Sequence, residues 1–186
     1  MAGAGLQGEA PAQAQRRAGG SEDLATYLVR ALGEARAAAA EMATAASRLA
    51  MVARYREGRA HTCAVEGWVR GATAGRALEL LREFYEVYRR SYPAVLAYAI
   101  SVSALAKYYS PLPKLLKTLE RRAKQFESAM AELEASGPDP GTACSRTEAC
   151  EPVEKAVRKA VNVAFAAEDV VTASVEVVRR VSLLRR

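Results

Sequence analysis

The chain has 186 residues, of which 51% are hydrophobic and 6% aromatic, and its net charge at pH 7 is +6. This length suffices for one domain with a hydrophobic core and appendages, and the moderate positive charge indicates an acidic partner. The longest strongly apolar stretch, residues 93–106, has 14 residues. A membrane-spanning helix needs about 20, so this stretch predicts a buried helix instead. We also expect no signal peptide, because the N-terminus lacks a charged region followed by an apolar segment.

The positive charge is divided unevenly between arginine and lysine. All thirteen basic residues up to Arg90 are arginines, and the first lysine is Lys107. Arginine keeps its charge at any relevant pH and forms bidentate contacts with phosphate or carboxylate. Codon bias in a GC-rich genome would give the same pattern. The chain has one asparagine and four glutamines, and such depletion of thermolabile amides is a tendency of hyperthermophile proteins that a GC-rich mesophile would share.

The N-terminal residues differ in composition from the rest of the chain. Residues 1–20 are mostly Ala, Gly, Gln and Pro, with two cations, Arg16 and Arg17. Because these residues cannot build a core, we expect a flexible basic arm. A serine followed by two acids at 21–23 predicts a helix start, and Gly58 predicts its end. Residues 21–58 are therefore predicted to form one long helix rich in alanine and arginine.

This long helix has two contrasting faces. Its apolar stripe, which we expect to face the core, consists of Leu24, Leu28, Leu32, Ala35, Met42, Ala45, Leu49 and Val52. At about 100° per residue, the opposite face consists of Gly33, Ala37, Ala40, Thr44, Ser47 and the larger Met51. Arg30 and Arg48 border that face on one side, and Arg36 and Arg54 on the other. Either a DNA backbone lies against it, with arginines on phosphates and hydroxyls donating to them, or another helix packs there and the arginines pair with glutamates.

The middle of the chain is predicted to contain two or three helices. A short helix is expected over residues 62–70 and a longer one over 74–90, where leucines and tyrosines recur at helical spacing. Pro93 is expected to break or kink this helix. The apolar residues 94–109 are predicted to form the next one.

Ser110 and Pro111 predict another helix start, and Gly137 with Pro138 predicts its end. Between them, apolar residues recur at alternating spacings of four and three, as in the seam of a coiled coil: Leu112, Leu116, Leu119, Ala123, Phe126, Met130 and Leu133. The seam is typical of packing inside one bundle. The alternative is a dimer interface.

The C-terminal part begins with a loop over residues 138–151 that contains Cys144 and Cys150. These two cysteines either form a disulfide or stay unbridged, and a disulfide is possible since hyperthermophile proteins tolerate disulfides. Their spacing does not fit a zinc site. Pro152 is predicted to open a last helix that runs to about Leu184. Residues 170–178 are rich in β-branched side chains and could form a strand, but helical periodicity continues through them.

These elements predict an all-α protein, a four- to five-helix bundle over residues 59–186 preceded by the arm and the long helix. We expect no enzymatic activity, no metal and no cofactor, because His61 is the only histidine and no serine lies in a nucleophile-elbow sequence. Arg56 and His61 have the R-x4-H spacing that resembles the ribonuclease motif of HEPN-type helical domains. Gly58 interrupts the helix between them.

The arginine-bearing arm, the long alanine-rich helix and the following bundle together resemble the layout of major capsid proteins of filamentous and rod-shaped archaeal viruses. The resemblance implies that the N-terminal helical part wraps double-stranded DNA held in A-form and that the bundle forms the outer part of a virion filament. It implies as partners other copies of the chain or a paralogous capsid subunit. By the same resemblance, the residues expected to face phosphate are Arg16, Arg17, Arg30, Arg36, Arg48, Arg54, Arg56 and Arg59.

One feature tempers that interpretation. Residues 1–76 contain ten arginines against seven acidic residues, a small local excess for a protein that coats DNA. The alternative function is a cytoplasmic helical interaction or adaptor module that dimerises through the seam of residues 112–133. A helical nuclease acting through Arg56 and His61 is a third hypothesis.

Overall fold

In the computed structural model, the described residues are 23–52, 72–105, 111–137 and 147–183. Within these ranges all regular secondary structure is α-helical, and the helices are α1 (Leu24–Val52), α2 (Ala72–Ser103), α3 (Pro111–Ser136) and α4 (Thr147–Leu183). The predicted helical bundle is therefore confirmed, with four helices in the described part of the chain. The predicted arm (1–20) and short helix (62–70) lie outside the described residues.

The helices predicted over residues 74–90 and 94–109 are in fact one helix, α2, which continues through Pro93. A proline inside a helix removes the hydrogen bond to the carbonyl four residues earlier, here that of Arg89. Pro93 is exposed, so water can reach that carbonyl. The turns that follow bury Val95, Tyr98 and Val102, and this burial offsets the lost bond.

The start of α4 also differs from the prediction. The helix begins at Thr147, five residues before Pro152, so Cys150 lies in its first turn rather than in the predicted loop over 138–151. Pro152 is the sixth helical residue, and its missing donor leaves only the carbonyl of Glu148 without a helical partner. Cys144 lies outside the described residues, so the possible disulfide stays a prediction.

The β-branched segment of α4 is helical throughout, which excludes the strand alternative. Its buried residues, Val170, Val171, Ser174, Val177 and Val178, recur at i, i+1, i+4, i+7 and i+8, which is the spacing of one helical face. The Ser174 hydroxyl is satisfied inside the bundle, hydrogen-bonded at 2.9 Å to the hydroxyl of Tyr98 on α2.

Side-chain contacts define α1 and α2 as an antiparallel hairpin. Arg48, near the end of α1, contacts Glu83 at 3.3 Å, whereas Glu41, which comes earlier in α1, contacts Arg90 at 3.0 Å. Residue numbers thus rise along α1 as they fall along α2, which is the signature of antiparallel neighbours.

A second antiparallel hairpin consists of α3 and α4. The Arg122 guanidinium donates to the carbonyl of Asn162 at 3.1 Å, and further along the pair the Lys155 ammonium contacts Glu132. Of the four helices, α4 packs against all the others, α1 and α3 lie on its two flanks, and α2 also contacts it directly. The bundle is therefore flattened, with α1 and α3 at its two far corners.

The predicted seam of α3 is occupied by packing inside this bundle. Leu112, Leu119, Ala123, Phe126, Met130 and Leu133 are buried, and Leu116 is partly buried against the same core. The Phe126 ring packs edge-on against Phe84 and Tyr88 of α2, with centroids 5.3 and 5.0 Å apart. A dimer formed through this seam would have to displace these contacts.

Gly137 ends α3 as the sequence predicts. Its φ of 54° lies in the left-handed region, and its N–H donates to the carbonyl of Glu134 at 3.2 Å. This conformation is open to glycine at little cost and strained for other residues, which fixes the helix end at this position.

Truncation of Phe126 should be the more damaging of two phenylalanine substitutions. Phe126 is fully buried, whereas Phe165 on α4 is 55% exposed. We expect Phe126→Ala to lower the free energy of unfolding by about 3–5 kcal/mol. For Phe165→Ala we expect about 1 kcal/mol or less. Urea unfolding followed by circular dichroism measures both, and equal losses would contradict the packing described for α3.

Candidate nucleic-acid interface

The small-residue side of α1 faces away from the bundle. Gly33, Ala37, Ala40, Thr44, Ser47 and Met51 are all exposed, and we call them the α1 outer face. The predicted apolar stripe is turned inward, where Leu28, Ala35, Met42 and Leu49 are at most 1% exposed. Leu24, at the start of the helix, is the exception, with 46% of its surface exposed.

Gly33 in this face is not required by the packing of the chain. A Cβ atom added at Gly33 would meet nothing within 4 Å, and the position has ordinary helical backbone. A glycine inside a helix costs about 0.5–1 kcal/mol relative to alanine. The small size of this residue therefore serves no contact within the described structure, and it leaves room for an external one.

The two hydroxyls of the α1 outer face are engaged by their own helix. Thr44 donates to the carbonyl of Ala40 at 2.9 Å, and Ser47 donates to the carbonyl of Ala43 at 2.8 Å. Either hydroxyl would have to exchange this intrahelical bond before it could donate to a phosphate. The hydroxyl oxygens themselves stay exposed.

Three of the predicted phosphate-facing arginines lie on the described part of α1. Arg30 contacts Glu34 at 3.3 Å, and Arg48 contacts Glu83 of α2 at 3.3 Å. Both ion pairs are about half-exposed, so each contributes only about 0–1 kcal/mol. The remaining predicted arginines, which lie outside the described residues, are Arg16, Arg17, Arg54, Arg56 and Arg59.

Arg36, the third of these arginines, has a different environment. It borders a groove of about 850 Å³ that is lined by α1, by Glu168 and Asp169 of α4, and by Leu115 of α3. Within the described ranges no carboxylate oxygen lies at ion-pair distance from its guanidinium. Arg36 therefore keeps its hydrogen-bond donors available to an external acceptor, although the two acids reduce the local positive potential.

On the α2 side of the outer face, Glu41 forms an ion pair with Arg90. The Glu41 carboxylate accepts hydrogen bonds from Arg90 at 3.0 Å and from the Ser91 hydroxyl at 3.3 Å. The hydrogen bond from Arg90, its positive charge and the Ser91 bond hold the pKa of Glu41 below its ordinary value. The three described arginines that border the outer face therefore lie near five acids: Glu34 and Glu41 on α1, and Glu83, Glu168 and Asp169 on the neighbouring helices.

A second positively charged surface was not singled out by the sequence patterns. A groove of about 590 Å³ lies between α3 and α4, and we call it the α3/α4 groove. Its lining residues are Lys117, Glu120, Arg121, Lys124, Gln125, Ser128, Lys155 and Lys159. The sequence pattern that could have predicted this groove is the recurrence of basic residues three or four positions apart on α3, on the side opposite the seam. Acids such as Glu127 and Glu134 interrupt this basic pattern in the sequence, although they lie on another side of the helix.

The described residues contain no cluster of three or more His, Cys, Asp or Glu side chains arranged to hold a metal ion. His61 and Arg56, the residues of the ribonuclease hypothesis, lie outside the described ranges. Across the described helices, none is both long enough and apolar enough to span a membrane.

Comparisons with known protein families, curated proteins and solved structures found no match to this chain.

Substitution of Gly33 by alanine should stabilise the protein. The added methyl meets open space, and alanine is favoured over glycine by about 1 kcal/mol in a helix interior. Gly137→Ala is the matched control, since its left-handed backbone should make the same change destabilising by about 1–2 kcal/mol. Thermal unfolding of both variants measures the signs. A destabilising Gly33→Ala would show that the outer face is packed against something within the protein.

Proposed function

We propose that this protein is a non-enzymatic structural protein that coats and packages double-stranded DNA through sequence-independent contacts between arginines and phosphates. The observation that carries the proposal is the α1 outer face: small, exposed residues with room at Gly33, bordered by Arg30 and Arg48 on one edge and by Arg36 on the other. In the proposal, many copies of the chain, alone or with a paralogous subunit, form a helical filament on DNA in a virion.

Small side chains matter here because a helix can contact a DNA backbone closely only where its own side chains are short. Between the arginines, a row of glycine and alanine leaves the helix surface low enough for phosphates to approach. Arg36 is placed to form a charge-assisted hydrogen bond with one of them. Such contacts fix position on the duplex without reading its sequence.

The ion pairs of Arg30 and Arg48 do not oppose this proposal strongly. Their glutamate partners are themselves exposed, and an exposed pair contributes at most about 1 kcal/mol. Exchange of glutamate for phosphate costs little, and each phosphate that is neutralised releases condensed counterions from the duplex. The proposal extends the same role to the predicted arginines outside the described residues.

Loss of the α1 arginines should weaken DNA binding and reduce its dependence on salt. The logarithm of the affinity falls with the logarithm of salt concentration by about 0.9 for each phosphate contact. We therefore expect R30Q/R36Q/R48Q to lower that slope by up to about 3. A fluorescent duplex titrated at several salt concentrations measures the slope, and duplexes of unrelated sequence should behave alike.

The control for this experiment is R76Q/R82Q/R89Q, which removes three exposed arginines from α2 and changes the net charge equally. If the two triple variants bind equally weakly, only net charge matters and the α1 outer face is not the contact. Electron microscopy tests assembly: purified protein with double-stranded DNA should form filaments. A monodisperse monomer that ignores DNA at low salt contradicts the whole proposal.

A further inference from the structure

The α3/α4 groove contains more positive charge than the borders of the α1 outer face. Five of its lining residues are cations, and one, Glu120, is acidic. Two of the cations have polar partners inside the chain: Lys155 contacts Glu132, and Lys159 donates to the side-chain oxygen of Gln125 at 3.2 Å.

The other three cations, Lys117, Arg121 and Lys124, are exposed. No carboxylate in the described part of the chain lies at ion-pair distance from any of them. Their hydrogen-bond donors are therefore available to an external anion without the loss of an existing ion pair. This distinguishes them from Arg30 and Arg48 on α1, whose guanidinium groups are shared with glutamates.

These cations form a row along α3. Together with Lys114, which is also exposed, they lie within an arc of about 80° on α3, at 100° per residue. At about 1.5 Å per residue, positions 114–124 span about 15 Å. One strand of duplex DNA carries a phosphate about every 3.4 Å along the axis, so this length faces about four phosphates.

Uncharged donors complete the surface. Ser128 and Gln125 line the same groove, between the row on α3 and the two lysines on α4. Hydroxyl and amide groups beside arginine and lysine are the usual phosphate-contacting set in complexes with DNA. The row of charge favours a continuous polyanion over a single small anion, because the cations are distributed along a line rather than around a point.

From this arrangement we propose that the α3/α4 groove is a second binding surface for the phosphate backbone of double-stranded DNA, and that one subunit thereby links two DNA segments. The inference rests on the proposed function, in which the α1 outer face holds the first segment. α1 and α3 flank α4 on two sides, so the two surfaces lie on different helices, and in this inference each holds its own duplex segment.

A capture experiment tests the two surfaces separately. The full-length protein is bound to a duplex immobilised on beads, and a second, fluorescent duplex is then added. Wild-type protein should capture the second duplex. K117Q/R121Q/K124Q should still bind the beads. It should capture at least about tenfold less of the second duplex than the wild type does, since three phosphate contacts are removed. Circular dichroism verifies the fold, which these exposed substitutions should leave intact.

Two controls define the result. R76Q/R82Q/R89Q, with the same change of net charge, should capture the second duplex as the wild type does. K117R/R121K/K124R keeps the charges and should restore capture. Normal capture by K117Q/R121Q/K124Q, or an equal loss in the α2 control, would overturn the inference while leaving the proposed function intact.

Further outcomes identify other roles for the groove. If K117Q/R121Q/K124Q fails to bind the beads at all, the groove is the only DNA contact and the two-surface inference is wrong. If its sedimentation shows a changed oligomeric state, the groove is an interface between copies and the inference is again overturned. If the wild type binds no immobilised duplex, the inference and the proposed function fail together. Normal capture of the second duplex by R30Q/R36Q/R48Q would contradict the α1 assignment alone.

Discussion

The structure depends on the close approach of α4 to the other three helices. Its buried side chains are mostly short: alanines such as Ala156, Ala160 and Ala167 alternate with valines. Among the largest fully buried side chains, α4 contributes only Val153, and the bulkier leucines and phenylalanines come from α1, α2 and α3. Large residues of three helices thus pack against a central helix with short side chains.

This arrangement determines which surfaces are left for partners. Because α2 and α4 contact each other across the bundle, α1 and α3 are pushed to opposite corners. Each then buries one apolar stripe and leaves the other side of the helix outside. On α1 that side consists mostly of small residues and is bordered by arginines. On α3 it carries the row of lysines and arginine next to α4.

The two surfaces differ in whether their cations form ion pairs with acids of the chain. Arg30 and Arg48 of α1 share their donors with Glu34 of α1 and Glu83 of α2, and the pKa of Glu41 is lowered by Arg90. In the proposed function, a phosphate bound at this face replaces these weak, exposed pairs. On α3 the cations Lys117, Arg121 and Lys124 have no such competitor within the described structure. The bundle therefore combines a surface of small residues that has modest net charge with a more strongly charged groove.

Local periodicity determined much of the fold from the sequence alone. The apolar stripe of α1, the seam of α3 and the helical state of the valine-rich segment of α4 follow from spacings that a helix converts directly into faces. The left-handed residue Gly137 could be anticipated for a similarly local reason, since few other residues adopt that backbone. Only the tertiary structure decided the effect of Pro93 and Pro152, because a lost hydrogen bond is tolerated where later turns gain burial. It also decided which arginines pair with glutamates and that α3 and α4 line one cationic groove, because these depend on neighbours distant in sequence.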